Sequence, residues 1–202
     1  WMVRRQRQMC IRDRESVEVN LRDDPNIKGI SPYIETEALI KSNSTVAGVL
    51  VNGVIASKDK SVSVIHEYMQ TGNFEKIQTD NNIVLGRLLA RKLNVDVGDK
   101  ISLMLPDTSS SFAGYFPKSK VFNISGIFNI GSKDIDETLA YISLENASIL
   151  TGLKNQVHGF RLKFDNLFEA PYLVWQSLIY AEKNSNVCLL YTSDAADEPS
   201  SV

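Results

Sequence analysis

The chain has 202 residues, a formal net charge of −2, 43% hydrophobic residues and 23% charged residues. That length suits one domain or two small ones around an ordinary core. The near-balanced charge excludes the basic surface that nucleic-acid binding requires, and no apolar run approaches the roughly 18 residues of a membrane-spanning helix.

The two ends read differently from the middle. Arg4 to Arg14 is strongly basic, and Cys188 to Glu198 turns acidic. Codons can be chosen for Arg4 to Asp13 whose reverse complement, in another frame, encodes Cys188 to Asp197. Residues 1–14 and 188–202 are therefore expected to derive from a sequencing-library adapter. Both cysteines fall in these ends, so the remainder carries no disulfide, thiol nucleophile or thiolate metal site.

From residue 15 onward, Asp23-Asp24-Pro25-Asn26 is a turn signal. Ile27 to Ile30 and Tyr33 to Ile40 alternate loosely between apolar and polar, which predicts two strands broken at Pro32. Lys41 to Ser44 is a hairpin loop leading into Val46 to Val54, a β-branched run expected to be buried on both faces. Ser61 is expected to cap a short helix that passes through His66 and Met69 and ends at Thr71-Gly72. Val84, Leu85, Leu88, Leu89 and Leu93 mark one face of a second helix, ended by Asn94 to Gly98. Ile101 to Leu105, Val121 to Ile124 and Leu139 to Leu144 are predicted strands, and Glu145 to Leu150 a short helix. Phe160, Leu162 and Phe164 alternate with Arg161 and Lys163 as in a strand. A last amphipathic helix is expected over Tyr172 to Glu182. Hairpins interspersed with helices predict an α+β fold rather than a doubly wound parallel sheet.

Motifs that carry chemistry are sparse. Gly126 to Lys133 comes close to a phosphate-binding loop, but Ser132 precedes Lys133 where the motif needs the reverse order. A strand followed by a turn is expected instead. His66 and His158 belong to no His/Cys cluster with metal-ligand spacing, and both are expected to be surface or packing residues. Asp134, Asp136 and Glu137 lack the frame of a calcium loop and are read as a solvated turn. No catalytic, metal or cofactor residue is assigned.

One connection differs from the rest. Pro106 to Pro117 joins two predicted strands and carries Phe112, Tyr115 and Phe116 around Gly114. Hairpin loops usually have about 2 to 5 residues, and longer ones tend to be functional or disordered. Aromatics in a polar loop either fold back on their own domain or bury themselves in a partner. Both readings are open on physical grounds. Flanking Pro106 and Pro117 stiffen the stems and reduce the entropy lost on docking.

The order and spacing of Asn82 to Ala90, Leu93 to Ile101, Pro106 to Pro117 and Lys120 to Phe128 resemble the periplasmic region of LolC/LolE permeases. Pro25 to Pro32, Asp134 to Ile142, Leu144 to Ala147 and Val157 to Phe160 extend the resemblance over nearly all of residues 15–186. It implies a periplasmic insert, of the MacB-like core superfamily, with a mixed two-subdomain architecture. A Porter-like α/β part would comprise 15–71 and 134–187, and a β-rich Sabre-like part 72–133.

It further implies a lipoprotein-releasing ABC transporter at the bacterial inner membrane, in which the cytoplasmic ATPase LolD supplies the energy. The permease pair would pass a lipoprotein substrate to the periplasmic chaperone LolA. The segment itself would be non-catalytic. Pro106 to Pro117 would match the chaperone-capturing loop called the Hook, with Pro106, Phe112, Gly114, Tyr115, Phe116 and Pro117 as partner-binding residues. The alternative is a MacB/FtsX-type permease domain that transmits motion for efflux or cell-envelope processes. A free-standing hydrolase is a third class, disfavoured by the missing nucleophile, metal and phosphate motifs.

Overall fold

A computed structural model describes residues 14–22, 24–42, 45–105, 118–154, 156–164 and 189–191. Helix α1 spans Arg14–Arg22, and strands β1 (Ile27–Ser42) and β2 (Thr45–Val54) form a long hairpin. There follow α2 (Ala56–Asp59), a 3-10 turn at Ile65–Tyr68, β3 (Met69–Gly72), a second 3-10 turn at Phe74–Gln78 and β4 (Asn82–Gly86). The chain continues through α3 (Arg87–Leu93), β5 (Lys100–Leu105), β6 (Lys118–Phe128), α4 (Lys133–Thr138), β7 (Leu139–Ser143), α5 (Leu144–Thr151), β8 (Gly159–Phe164) and β9 (Leu189–Tyr191).

The strands make one nine-stranded mixed sheet, in the order β2-β7-β4-β6-β5-β1-β8-β9, with β3 added on β6. Because β2 also pairs with β1, six of the described strands close into a ring. One face of the ring buries Ile34, Ile40, Val51, Ile83, Leu103, Phe122 and Ile142, joined by Leu21 of α1, Leu89 of α3 and Ala147 of α5. Strands from both the expected Porter-like and Sabre-like ranges contribute to this cluster. Helix α1 is also tied down by charge: Glu18 pairs with Arg22 at 2.7 Å and with Lys58 of α2. Burial acts to raise the Glu18 pKa, but its hydrogen bonds and charge contacts with Lys58 and Arg22 outweigh that and hold it below its ordinary value.

The opposite face is covered by the excursion between β2 and β4. Ala56, Ile65, Phe74 and Ile77 pack there on Tyr33, Val54, Val84, Phe128 and Tyr141. Phe74 and Phe128 meet the Tyr141 ring edge-on, with centroids 5.5 Å and 5.9 Å away.

Several elements differ from expectation for identifiable reasons. The chain does not break at Pro32: pairing with β2 begins one residue later, at Tyr33, so no ladder bond to β2 is asked of the proline nitrogen. The β-branched run of β2 alternates through Ala47 and Val49 and is buried on both faces only from Val51 to Val54. The helix expected through Met69 is a 3-10 turn followed by β3, whose Met69 to Gly72 pair with β6. Gly72 has φ +80, and a Cβ there would lie 2.1 Å from the Ser125 carbonyl oxygen. It closes a strand, not a helix. Val84 and Leu85 belong to β4, so the second helix starts at Arg87; Asn94, left-handed at φ 52, ends it as expected. Asp134, Asp136 and Glu137 lie on α4 and not in a solvated turn, and Asp136 is buried. The hairpin, β5 to β8 and α5 agree with the sequence reading. The helix expected over Tyr172 to Glu182 lies outside the described residues.

Candidate partner-docking site

The singled-out loop leaves the sheet from a regular stem. β5 and β6 pair antiparallel from Lys100↔Asn123 to Leu105↔Lys118, and the last pair brackets residues 106–117. Pro106, Phe112, Gly114, Tyr115, Phe116 and Pro117 lie outside the described residues.

What the structure adds is the surface beside that stem. Register places Gly48, Leu39, Met104 and Ser119 in one row across β2, β1, β5 and β6, and Val46, Lys41, Ser102 and Val121 in the next. Residues paired in a ladder share a face. This is the face covered elsewhere by the excursion, but at these rows it stays open: Leu39 is 43% exposed, Val46 49% and Val121 55%. Leu39 and Val46 lie diagonally on the adjoining strands β1 and β2, and Val121 lies on β6, separated from Val46 in its row by Lys41 and Ser102. The sequence reading missed Val46 because it expected the whole Val46 to Val54 run to be buried on both faces, and it gave Val121 to Ile124 no inward or outward phase. β5 and β6 are apolar on both: Leu103 and Phe122 face the core, and Met104 and Val121 the other side.

The remaining candidates have structural roles. His158 Nδ1 accepts a hydrogen bond from the Glu35 backbone N–H at 3.1 Å, and the His158 backbone N–H donates to the Tyr33 carbonyl at 3.0 Å. Burial pushes its imidazole pKa down, against the pull of Glu35. His66 lies in the first 3-10 turn, 3.8 Å from Glu67. Asp136 accepts from the backbone N–H groups of Ile130 at 2.9 Å and Gly131 at 3.0 Å, so the loop resembling a phosphate site is closed by its own carboxylate. Its order of residues and this occupancy agree with a turn.

One buried polar cluster was not foreseen. Arg161 of β8 hydrogen-bonds Asn52 of β2, approaches Asp59 of α2 at 3.5 Å, and lies over the Tyr33 ring at 5.1 Å. Burial pushes the Asp59 carboxyl up even though Arg161 opposes it, and burial likewise raises the Tyr141 phenol beside it. Every strong polar group of this cluster faces a protein partner, which is the arrangement of a structural anchor. No group of three or more His, Cys, Asp or Glu that could hold a metal ion occurs among the described residues.

Comparison with known proteins decides the relationship. The LolC transmembrane protein of the lipoprotein-releasing system from Xylella fastidiosa (strain Temecula1) is 32% identical over 148 residues, which is 73% of this chain and 35% of that protein. LolC of Neisseria meningitidis serogroup B is 31% identical over 169 residues, 82% of this chain and 41% of that one. The chain is of the LolC/LolE type. LolE of Haemophilus influenzae, 30% identical over 160 residues, covers 79% of the chain. The LolC/LolE-type segment thus spans well under half the length of these relatives. No family model matches it.

Among solved structures, the extracellular domain of the noncanonic ABC-type transporter YknZ from Gram-positive bacteria superimposes with a TM-score of 0.54 at 9% identity, covering 78% of this chain and 75% of that domain. The periplasmic region of MacB from Actinobacillus actinomycetemcomitans gives 0.52 at 12% identity, covering 82% and 77%. The LolC/LolE-type chain therefore has the fold of ABC-permease extracytoplasmic domains. Among its described residues no helix is long and apolar enough to cross a membrane.

Proposed function

We propose that this segment is the periplasmic domain of an inner-membrane ABC permease that releases lipoproteins, and that its loop 106–117 captures the LolA-type chaperone that receives them. The observation carrying this reading is the exposure of Val121 on the stem strand β6 and of Leu39 on β1, which pairs with the stem strand β5, with Val46 one strand farther on β2. Phe112, Tyr115 and Phe116 would be the anchors, because aromatic side chains give large contact area for little lost rotamer freedom.

In this reading the segment does no covalent chemistry, and LolD, a second permease subunit and the lipoprotein complete the machine. The Porter-like and Sabre-like ranges would be the parts that move with the permease pair. The MacB and YknZ likenesses support the coarser alternative, a permease domain transmitting motion to another partner.

Titration of a LolA-type chaperone onto the chain separates the two. Phe112→Ala with Phe116→Ala is expected to weaken binding severalfold or more without changing the circular dichroism spectrum. Equal affinity of the double variant and the parent chain would remove the loop from the interface.

A further inference from the structure

We propose that His158 is an acid-released latch that holds the start of β8 against β1. β1 changes neighbours on one of its edges: its register with β8 stops at Tyr33↔Gly159, and its register with β5 begins at Leu39↔Met104. The other edge stays paired with β2 throughout, from Tyr33 to Ser42. The Glu35 N–H points into the gap between β8 and β5 and finds the His158 ring Nδ1 at 3.1 Å, while the His158 backbone N–H reaches Tyr33 O at 3.0 Å. The imidazole thus fills a ladder position that no strand occupies.

Only a neutral ring with its proton on Nε2 can accept there. A protonated imidazole carries donors on both nitrogens, so the Glu35 contact becomes donor against donor. The charged groups around it bear on the balance. Glu35 of β1 favours the protonated ring, but burial of the imidazole outweighs that attraction. Glu35 also acts on Tyr141 of β7, which belongs with Arg161 of β8 and Asp59 of α2 to the neighbouring polar cluster.

The sign follows from the depressed value. An unfolded chain takes up the proton near the ordinary imidazole pKa, while the folded chain resists until a lower pH. The stabilisation from His158 is complete above the ordinary value and is lost as pH falls from there through the folded midpoint.

The test is NMR of the full chain between pH 8 and pH 5, following the His158 ring carbon and the exchange protection of the Glu35 amide, corrected for intrinsic rates. The expected result is a His158 midpoint below 6.5, the ordinary value. Below that midpoint, protection at Glu35 falls by about tenfold per pH unit, as the neutral fraction does, while amides of Ile83 to Leu85 in β4 keep theirs. His158→Asn should abolish this pH dependence. Protection at Glu35 that stays flat through the His158 titration, a loss shared equally by β4, or a pH dependence that survives in the variant would overturn the latch. Should the variant not fold, the parent titration alone still decides.

Discussion

Arg161 shows how much of a residue's role depends on distant partners. The alternation of Phe160 to Phe164 places it correctly on the face opposite Phe160, yet nothing local distinguishes it from Lys163, which remains exposed. Its partners Asn52 and Asp59 are 109 and 102 positions away. Removing one side of a buried ion pair strands the other charge and costs about 3 to 5 kcal/mol. Arg161→Met is therefore expected to destabilise the chain on that scale in urea denaturation. Adding Asp59→Asn should recover part of the loss, because the stranded carboxylate is then gone. A double variant no more stable than Arg161→Met would mean that Asp59 is not the stranded group. His158 is the same lesson in milder form, a residue read as packing whose acceptor nitrogen turns out to complete a strand edge.

At the scale of elements, legibility followed burial. β5, β8 and the second half of β1, from Glu37 to Ser42, bury alternate residues, so their period of two was visible. β4 lies between β6 and β7 and carries covered faces on both sides, so Val84 and Leu85 are both apolar and read equally well as the start of a helix. The error at Met69 has another origin. Short apolar pieces between turns carry no period, and pairing with β6 made the strand.

Close packing of α5 on the hairpin was also invisible, although its cause is one residue. A Cβ at Gly53 would lie 2.1 Å from the Ala147 Cβ. Gly53→Ala must push α5 off β2 and is expected to cost about 1 to 3 kcal/mol by thermal or urea unfolding. Wild-type stability in that variant would show that α5 docks less tightly than these positions imply.

Across the whole molecule, the α+β class and the family were both readable. The class follows from strands interspersed with helices, and the family from the order and spacing of Asn82 to Ala90, Leu93 to Ile101, Pro106 to Pro117 and Lys120 to Phe128. The closed ring was not, because β1 meets β2, β5 and β8, and single-strand patterns do not say how many neighbours a strand has. The open half-face follows from that ring. The excursion of residues 55–78 is long enough to cover one half of the face, and the half beside the loop stem keeps Leu39, Val46 and Val121 in solvent. Exposed apolar side chains on the strands that lead to and flank the stem of an aromatic-rich segment are what the proposed docking role requires.

Photo-crosslinking tests that claim most directly. A photoreactive phenylalanine analogue is placed in turn at Phe112, Val121 and Ile149 of the chain, mixed with a LolA-type chaperone and irradiated. Ile149 serves as the reference because it is 58% exposed on α5, whose Leu144, Ala147 and Leu150 pack on the other face of the sheet. The account predicts crosslinks from Phe112 and Val121 and none from Ile149. Capture from Ile149 alone, or equally from all three, would contradict it.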